Sequence, residues 1–326
     1  MICFDIHGSG LEISTDWPRL VADARSLLRG FECSEGTSEP FRLNMCYGRP
    51  DRFQPDQSKL TQFWSGRLAG GLEMTYYSGP ALRMVDLPGR ARMHLDLEAR
   101  RGQTVVAPGS EWALADGCII PMLCDILAAA GQYILHAACL AAGTEDGAPA
   151  VLIAGASGTG KTTTSLALSR GKLRMLADDT CFVIDPGERP NAQGWALPAS
   201  CKVLEKTLSL LPWLMDIPRK PGREPGEYTV EVNDPDLARQ MVRPRVIIFL
   251  DPPNDLQHKI SPMDKLSAVK AITRENVRAF EPSASGPNGR AFQVFAALVS
   301  QCETYSLSAG PALDGLPEQI EQLALD

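Results

Sequence analysis

The residues best suited to chemistry are Gly155-Ala156-Ser157-Gly158-Thr159-Gly160-Lys161-Thr162, which satisfy G-x-x-x-x-G-K-[ST] at every fixed position. Glycines let successive backbone N–H groups in such a loop turn inward around phosphate oxygens. A helix starting just behind it adds the partial positive charge of its N-terminus. In that chemistry Lys161 reaches the β- and γ-phosphates, the Thr162 hydroxyl ligates Mg²⁺, and Thr163 ends the nucleotide-contacting stretch. The flanks suit the loop. Val151-Leu152-Ile153-Ala154 reads as a buried strand, and Thr162 to Leu168 as the first turns of a helix ending near Gly171. ATP and Mg²⁺ are the expected cofactors.

A phosphate loop alone does not separate kinases from ATPases, GTPases or transport motors, so the next carboxylates matter. Leu173 to Ala177 reads as a strand beside the loop strand, delivering Asp178-Asp179 at its end. Two adjacent carboxylates at such a crevice divide labour: one holds the Mg²⁺ shell, the other takes a proton from an attacking hydroxyl. The same pair would also suit a solvated turn, where Asp is common. His136 falls in the strand before the loop strand and suits either a hydrogen-bonded core or a position facing the γ-phosphate. Arg245 to Leu250, ending at Asp251, has the form of a Walker B strand, but Pro252-Pro253 follow and supply no water-activating Glu. This run is expected as a buried strand on the far side of the sheet. The basic stretch Arg219-Lys220-Pro221-Gly222-Arg223 reads as part of a Pro/Gly-rich loop from Pro212 to Tyr228. It suits closure over a substrate as well as a plain solvated turn.

Leu135-His136-Ala137-Ala138, the phosphate loop, and Leu176-Ala177-Asp178-Asp179 together resemble the catalytic domain of bacterial HPr kinase/phosphorylase. They are more similar still to the smaller HPr-kinase-like serine kinases, including those of lasso-peptide gene clusters. The resemblance spans about residues 115 to 325 and is strongest from His136 to Asp179. Phe292 to Tyr305, with Leu307 and Gly310, resembles the closing helix–strand unit of that set. It implies a PEP-carboxykinase-like phosphate-loop fold in which Lys161 binds phosphate and Thr162 ligates Mg²⁺. Asp179 then takes the acceptor proton, Asp178 supports the metal or the base, and His136 matches the family's histidine before the loop. The bifunctional enzymes also use a glutamate within a glycine-rich signature. Pro198 to Glu205 lacks that signature, leaving Glu205 as a candidate metal ligand and Lys202 as a group for phosphate or substrate. The segment used for phosphate removal is not visible either. The resemblance therefore implies kinase activity without phosphorylase activity, on a substrate other than HPr.

The elements that must position these residues fall into two textures. Residues 1–112 read as a β-rich α+β domain of unassigned role, and 113–326 as an α/β catalytic domain. In the first, Ile2 to Thr15 reads as a hairpin and Trp17 to Leu28 as a helix capped by Asp16. Phe31 to Trp64 reads as loops with one strand at Phe41 to Met45, followed by antiparallel strands between Leu72 and Leu97. In the second, a helix from Gly117 to Ala130 leads to strands at Tyr133–Leu140 and Ala150–Ile153. Later come a strand at Cys181–Ile184 and helices near 204–211, 262–271, 292–301 and 316–325. A net charge of −7 and a pI of about 5.3 argue against a general nucleic-acid or anionic-membrane surface. The start Met1 to Asp5 lacks the features of a signal peptide, and nine cysteines without a C-x-x-C pair suit a reduced, cytoplasmic protein.

The expected reaction is ATP-dependent transfer of the γ-phosphoryl group to a Ser/Thr hydroxyl of a protein or peptide. Homo-oligomer formation stays open. Two alternatives stay open beside the reaction: a kinase for a sugar or cyclitol, and a regulatory ATPase in which the nucleotide only switches shape.

Overall fold

The computed structural model describes residues 1–15, 17–34, 39–68, 71–114, 119–197, 200–222, 225–232, 237, 239–252, 254, 257–276 and 287–325. It is a mixed α/β protein with two eight-stranded sheets and one three-stranded sheet. The chain divides into two compact units, Met1–Gln132 and a second made of Tyr133–Arg278 and Gly289–Asp326.

In the first unit β1 (Ile2–Ile6) and β2 (Ser9–Thr15) form the expected hairpin. Ile2, Phe4 and Ile6 alternate inward, as a half-buried strand requires. Helix α1 (Pro18–Leu27) opens on Trp17 in extended conformation with Pro18 in its first turn. The proposed cap, Asp16, lies outside the described residues. The α1 crossover returns the chain parallel to β2 as β3 (Phe41–Tyr47). The meander β4 (Thr61–Arg67), β5 (Glu73–Ser78), β6 (Leu82–Leu87), β7 (Ala91–Asp96) and β8 (Arg101–Val106) completes the order β1-β2-β3-β8-β7-β6-β5-β4. Sequence reasoning missed β4 and β8. β4 is an edge strand with no buried residue, so it carries little apolar alternation to read.

A single turn α2 (Trp112–Leu114) and helix α3 (Ile120–Ala129) follow. The change of composition near residue 112 and the division between the units at Gln132 do not coincide. Asp125 of α3 accepts bonds of 2.9 Å from the Tyr76 hydroxyl on both oxygens and sits 3.5 Å from Arg83, tying α3 to the first sheet.

In the second unit β9 (Gln132–Ala141) pairs antiparallel with β10 (Ala148–Ala154), the loop strand. Helix α4 (Lys161–Leu168) follows the loop, then β11 (Arg174–Ala177) and β12 (Thr180–Ile184). β11 does not lie beside β10 as expected: it pairs with β9, on the side away from β10. Two antiparallel steps restore direction, so β11 still runs parallel to β10 and ends at the same edge of the sheet. β13 (Gln193–Ala196) pairs with β12. β14 (Cys201–Leu204), helix α5 (Glu205–Leu210), β15 (Arg219–Pro221) and β16 (Glu227–Val230) come next. β14, β16 and β15 form the three-stranded sheet. The stretch expected to be a loop from Pro212 to Tyr228 therefore contains β15 and the start of β16, strands too short for periodicity to reveal.

β17 (Val242–Leu250) is also placed differently from expectation. It is not on the far side of the sheet but parallel and adjacent to β10, pairing Val151 with Val246 and Ala154 with Phe249. Ala150–Ala154 of β10 and Val246–Leu250 of β17 are buried on both faces, hence their unbroken apolar runs. The remaining elements are β18 (Lys259–Pro262), α6 (Lys265–Asn276), α7 (Pro287–Gln301), β19 (Glu303–Ser308) and α8 (Leu316–Leu325). β19 lies parallel to β17, and α8 packs against α4, β10 and β17.

The pairings β10–β9–β12–β13–β17–β10 close on themselves, the last joint being Gly194 opposite Val242. Phe182 and Trp195 pair across β12 and β13, and their rings stack with centroids 4.6 Å apart. Trp195 is fully buried, so Trp195→Ala should destabilise the protein by about 3–5 kcal/mol in urea unfolding. A loss below about 1 kcal/mol would contradict this placement.

Candidate functional site

The loop's shape follows from two glycines. At Gly155 a Cβ would meet the Thr159 hydroxyl at 2.9 Å and the Leu250 Cβ at 3.1 Å, so the chain leaving β10 is pressed against the end of β17. Gly160 has φ 99°, a left-handed conformation that lets the chain turn directly into α4. The Thr159 hydroxyl donates to the Ala156 carbonyl at 2.8 Å and pins the turn. Ser157 and Gly158 stay exposed at the tip.

Lys161 opens α4 and is buried, its ammonium donating to the Gly155 carbonyl at 2.7 Å and reaching Ala156 at 3.5 Å. The Thr162 hydroxyl donates to Asp178 Oδ2 at 2.9 Å. The hydroxyls of Thr163 and of Thr207 on α5 meet at 3.0 Å.

Asp178 and Asp179 follow β11, and their environments differ. Asp178 is buried, and its Oδ1 has no hydrogen-bond partner among the described residues. Burial pushes its pKa up from the ordinary 3.8 to about 6, aided by the charge of Asp179 and opposed by the Thr162 bond and by Lys161. Asp179 is exposed, and His136 Nδ1 stands 3.1 Å from its Oδ1. Desolvation works to raise its pKa, but the His136 bond and the charges of His136, Lys161 and Lys202 outweigh it and hold it below the usual carboxylate range. Neighbouring carboxylates with diverging pKa values are suited to different tasks.

His136 is on β9, directly beside the loop strand, and its own N–H donates to the Asn276 side chain at the end of α6. Asn276 was not foreseen, because nothing local marks a residue that matters only through a contact this distant in sequence.

The structure thus brings together Gly155 to Thr163, His136, Asp178 and Asp179. Glu205, the candidate metal ligand, begins α5 with its side chain beside Gly226, and among the described residues it makes no hydrogen bond to Thr162 or Asp178. Asp251 follows β17 with its side chain exposed, and its N–H donates to the Leu307 carbonyl at 2.9 Å. Arg219 belongs to β15, donates to the carbonyls of Leu214 and Met215, and stacks over Tyr228. Arg223 lies outside the described residues.

The donors fit a hard divalent cation. Thr162 and Asp178 offer oxygen ligands, and the partnerless buried Oδ1 is an atom that a cation would satisfy. Among the described residues no group of three or more His, Cys, Asp or Glu could hold a metal. Phosphate oxygens and water would have to fill most of the shell, which is Mg²⁺-like behaviour. Also among the described residues, no helix is long and apolar enough to cross a membrane.

No family model matches the chain, and no curated protein matches it. Solved structures do match, among them the structure of the Hpr(Ser) kinase/phosphatase from Coxiella burnetii. That match has 17% identity and a TM-score of 0.25, covering 58% of this chain and 92% of that one. A likeness of this degree decides neither the fold nor the activity of this chain.

The raised pKa of Asp178 has a consequence for stability. Below about pH 4 both native and unfolded chains hold its proton. Between about 4 and 6 only the native state does, so stability falls as pH rises, by roughly 2–3 kcal/mol at neutrality. Asp178→Asn keeps an acceptor for Thr162 and removes the charge. In Mg²⁺-free buffer it should melt higher than the parent at pH 7.5 and alike at pH 4. Equal melting at both values by scanning calorimetry would contradict the assignment.

Proposed function

We propose that the second unit transfers the γ-phosphoryl group of ATP to a hydroxyl group, with a Ser or Thr side chain of a protein or peptide as acceptor. One observation carries the reading: the Thr162 hydroxyl bonds Asp178, joining the G-x-x-x-x-G-K-T loop to a carboxylate pair whose second member is exposed and held by a histidine. A loop of this kind beside a merely structural turn would have no use for an ionised, outward-facing Asp179.

In this mechanism the amides of residues 155–160 and the Lys161 ammonium surround the β- and γ-phosphates and offset their charge. The residues that suit Mg²⁺ are Thr162 and Asp178. When bound, the ion would neutralise phosphate charge and complete the coordination of the Asp178 carboxylate. Asp179 accepts the hydrogen bond of the acceptor hydroxyl and turns an oxygen lone pair toward the γ-phosphorus. The new O–P bond forms as the bond to the β-phosphate oxygen breaks; ADP leaves, and the hydroxyl proton passes to Asp179. A carboxylate of lowered pKa is a weak base. That is adequate here, because a loose phosphoryl transition state asks little proton removal early on and much of positioning. His136 holds Asp179 in its orientation.

Lys161→Ala should lose both ATP affinity and transfer. Asp179→Asn should keep ATP affinity and lower transfer of labelled γ-phosphate by about 10²–10⁴-fold. Undiminished transfer in Asp179→Asn would remove Asp179 from the role of base.

A further inference from the structure

β14 forms one edge of the three-stranded sheet, with β16 on one side and no strand on the other among the described residues. Cys201 and Val203 are buried in the core that also holds Leu166 and Leu168 of α4, whereas Lys202 and Leu204 are exposed, Leu204 by 57%. The register decides which backbone groups are already used. Glu205 N–H donates to the Gly226 carbonyl at 3.2 Å, which makes that a hydrogen-bonded pair. Alternating back along the antiparallel ladder, Val203 and Cys201 bond to β16, while Lys202 turns its N–H and C=O, and Leu204 its N–H, to the open edge; the Leu204 carbonyl, at the N-cap of α5, serves the first turn of that helix. The other side of β16 agrees: the Glu227 carbonyl, opposite Leu204, accepts from Gly222 N–H at 2.7 Å instead.

This edge adjoins the transfer site. β14 runs straight into α5, whose Thr207 hydroxyl meets Thr163, the residue after the Thr162 that holds Asp178. An open edge carrying an exposed leucine is a template for a second extended backbone. A lysine beside it discourages a basic or neutral strand and favours one bearing a carboxylate.

We propose that the acceptor is an extended polypeptide segment that adds to the sheet along β14. It bonds the main chain of Lys202 and Leu204, sets an apolar side chain on Leu204 and an acidic one against Lys202, and so presents its Ser or Thr hydroxyl to Asp179. This rests on the phosphoryl-transfer reading above, and makes the acceptor a polypeptide bound by its backbone, not a small hydroxylated metabolite.

The test uses the full chain, Mg²⁺ with γ-labelled ATP, and an arrayed library of Ser- and Thr-centred peptides with randomised flanks, with free sugars and cyclitols as parallel acceptors. The expected result is phosphorylation of peptides carrying an acidic residue near the hydroxyl. Methylating alternate backbone nitrogens of the best peptide should raise KM about 5- to 10-fold per lost bond with kcat little changed, and the interleaved nitrogens should tolerate methylation. Leu204→Pro, which deletes an outward N–H at an edge position where proline is tolerated, should raise KM similarly. Insensitivity of KM to both the methylation phase and Leu204→Pro would overturn the docking mode. Turnover of a sugar or cyclitol without any peptide phosphorylation, with Lys161-dependent ATP binding intact, would overturn it while leaving the nucleotide reading standing. Failure to bind ATP at all would overturn that reading beneath it.

Discussion

One hydrogen bond organises the second unit: Thr162 Oγ1 to Asp178 Oδ2, 2.9 Å long. It joins the first turn of α4 to the end of β11, two elements on strands separated by β9. Without it the glycine-rich loop and the carboxylate pair would be neighbours only loosely. With it, a buried acidic oxygen, a buried lysine and a turn of backbone amides share one small volume. The sheet makes the bond feasible because two antiparallel pairings bring β11 back to the direction of β10.

That closeness has an electrostatic cost, offset by dividing the carboxylates. Asp178 lies inside, where desolvation favours its protonated form, and Asp179 lies outside, where His136 and two lysines favour its charge. Both could not be ionised in the same dry space without a cation between them. Ionisation of the buried Asp178 near neutrality therefore costs stability, a cost that a divalent cation at its free oxygen would offset. Burial and exposure of adjacent residues thus do what two separate side chains on different elements would otherwise have to do.

The three-stranded sheet adds a second constraint. β14 is anchored by Cys201 and Val203 in the core under α4, so its free edge cannot drift from the loop. In the proposed reaction, rigid attachment of this open edge beside the carboxylate pair would favour presentation of an extended chain over its simple diffusion into the site. The first unit is built on a different plan, a mixed sheet to which α3 is tied by the Asp125, Tyr76 and Arg83 cluster.

The loop and the strand and helix that flank it were legible in the sequence. Gly155, Gly160, Lys161 and Thr162 announce the loop because its backbone conformation and its following helix admit few other residues. The apolar runs at 150–154 and 246–250 announce strands covered on both faces. Tertiary structure alone decided which strands touch. β17 beside β10, β11 beyond β9, and β15 and β16 within an expected loop all depend on pairing between distant segments, which leaves no periodic mark in either partner. The same holds for the site. The adjacency of two aspartates was visible, but which one would be buried, which would meet His136, and that Glu205 would face Gly226 were set by long-range packing, since a side chain's solvent and partners are properties of the folded surface and not of its neighbours in the chain.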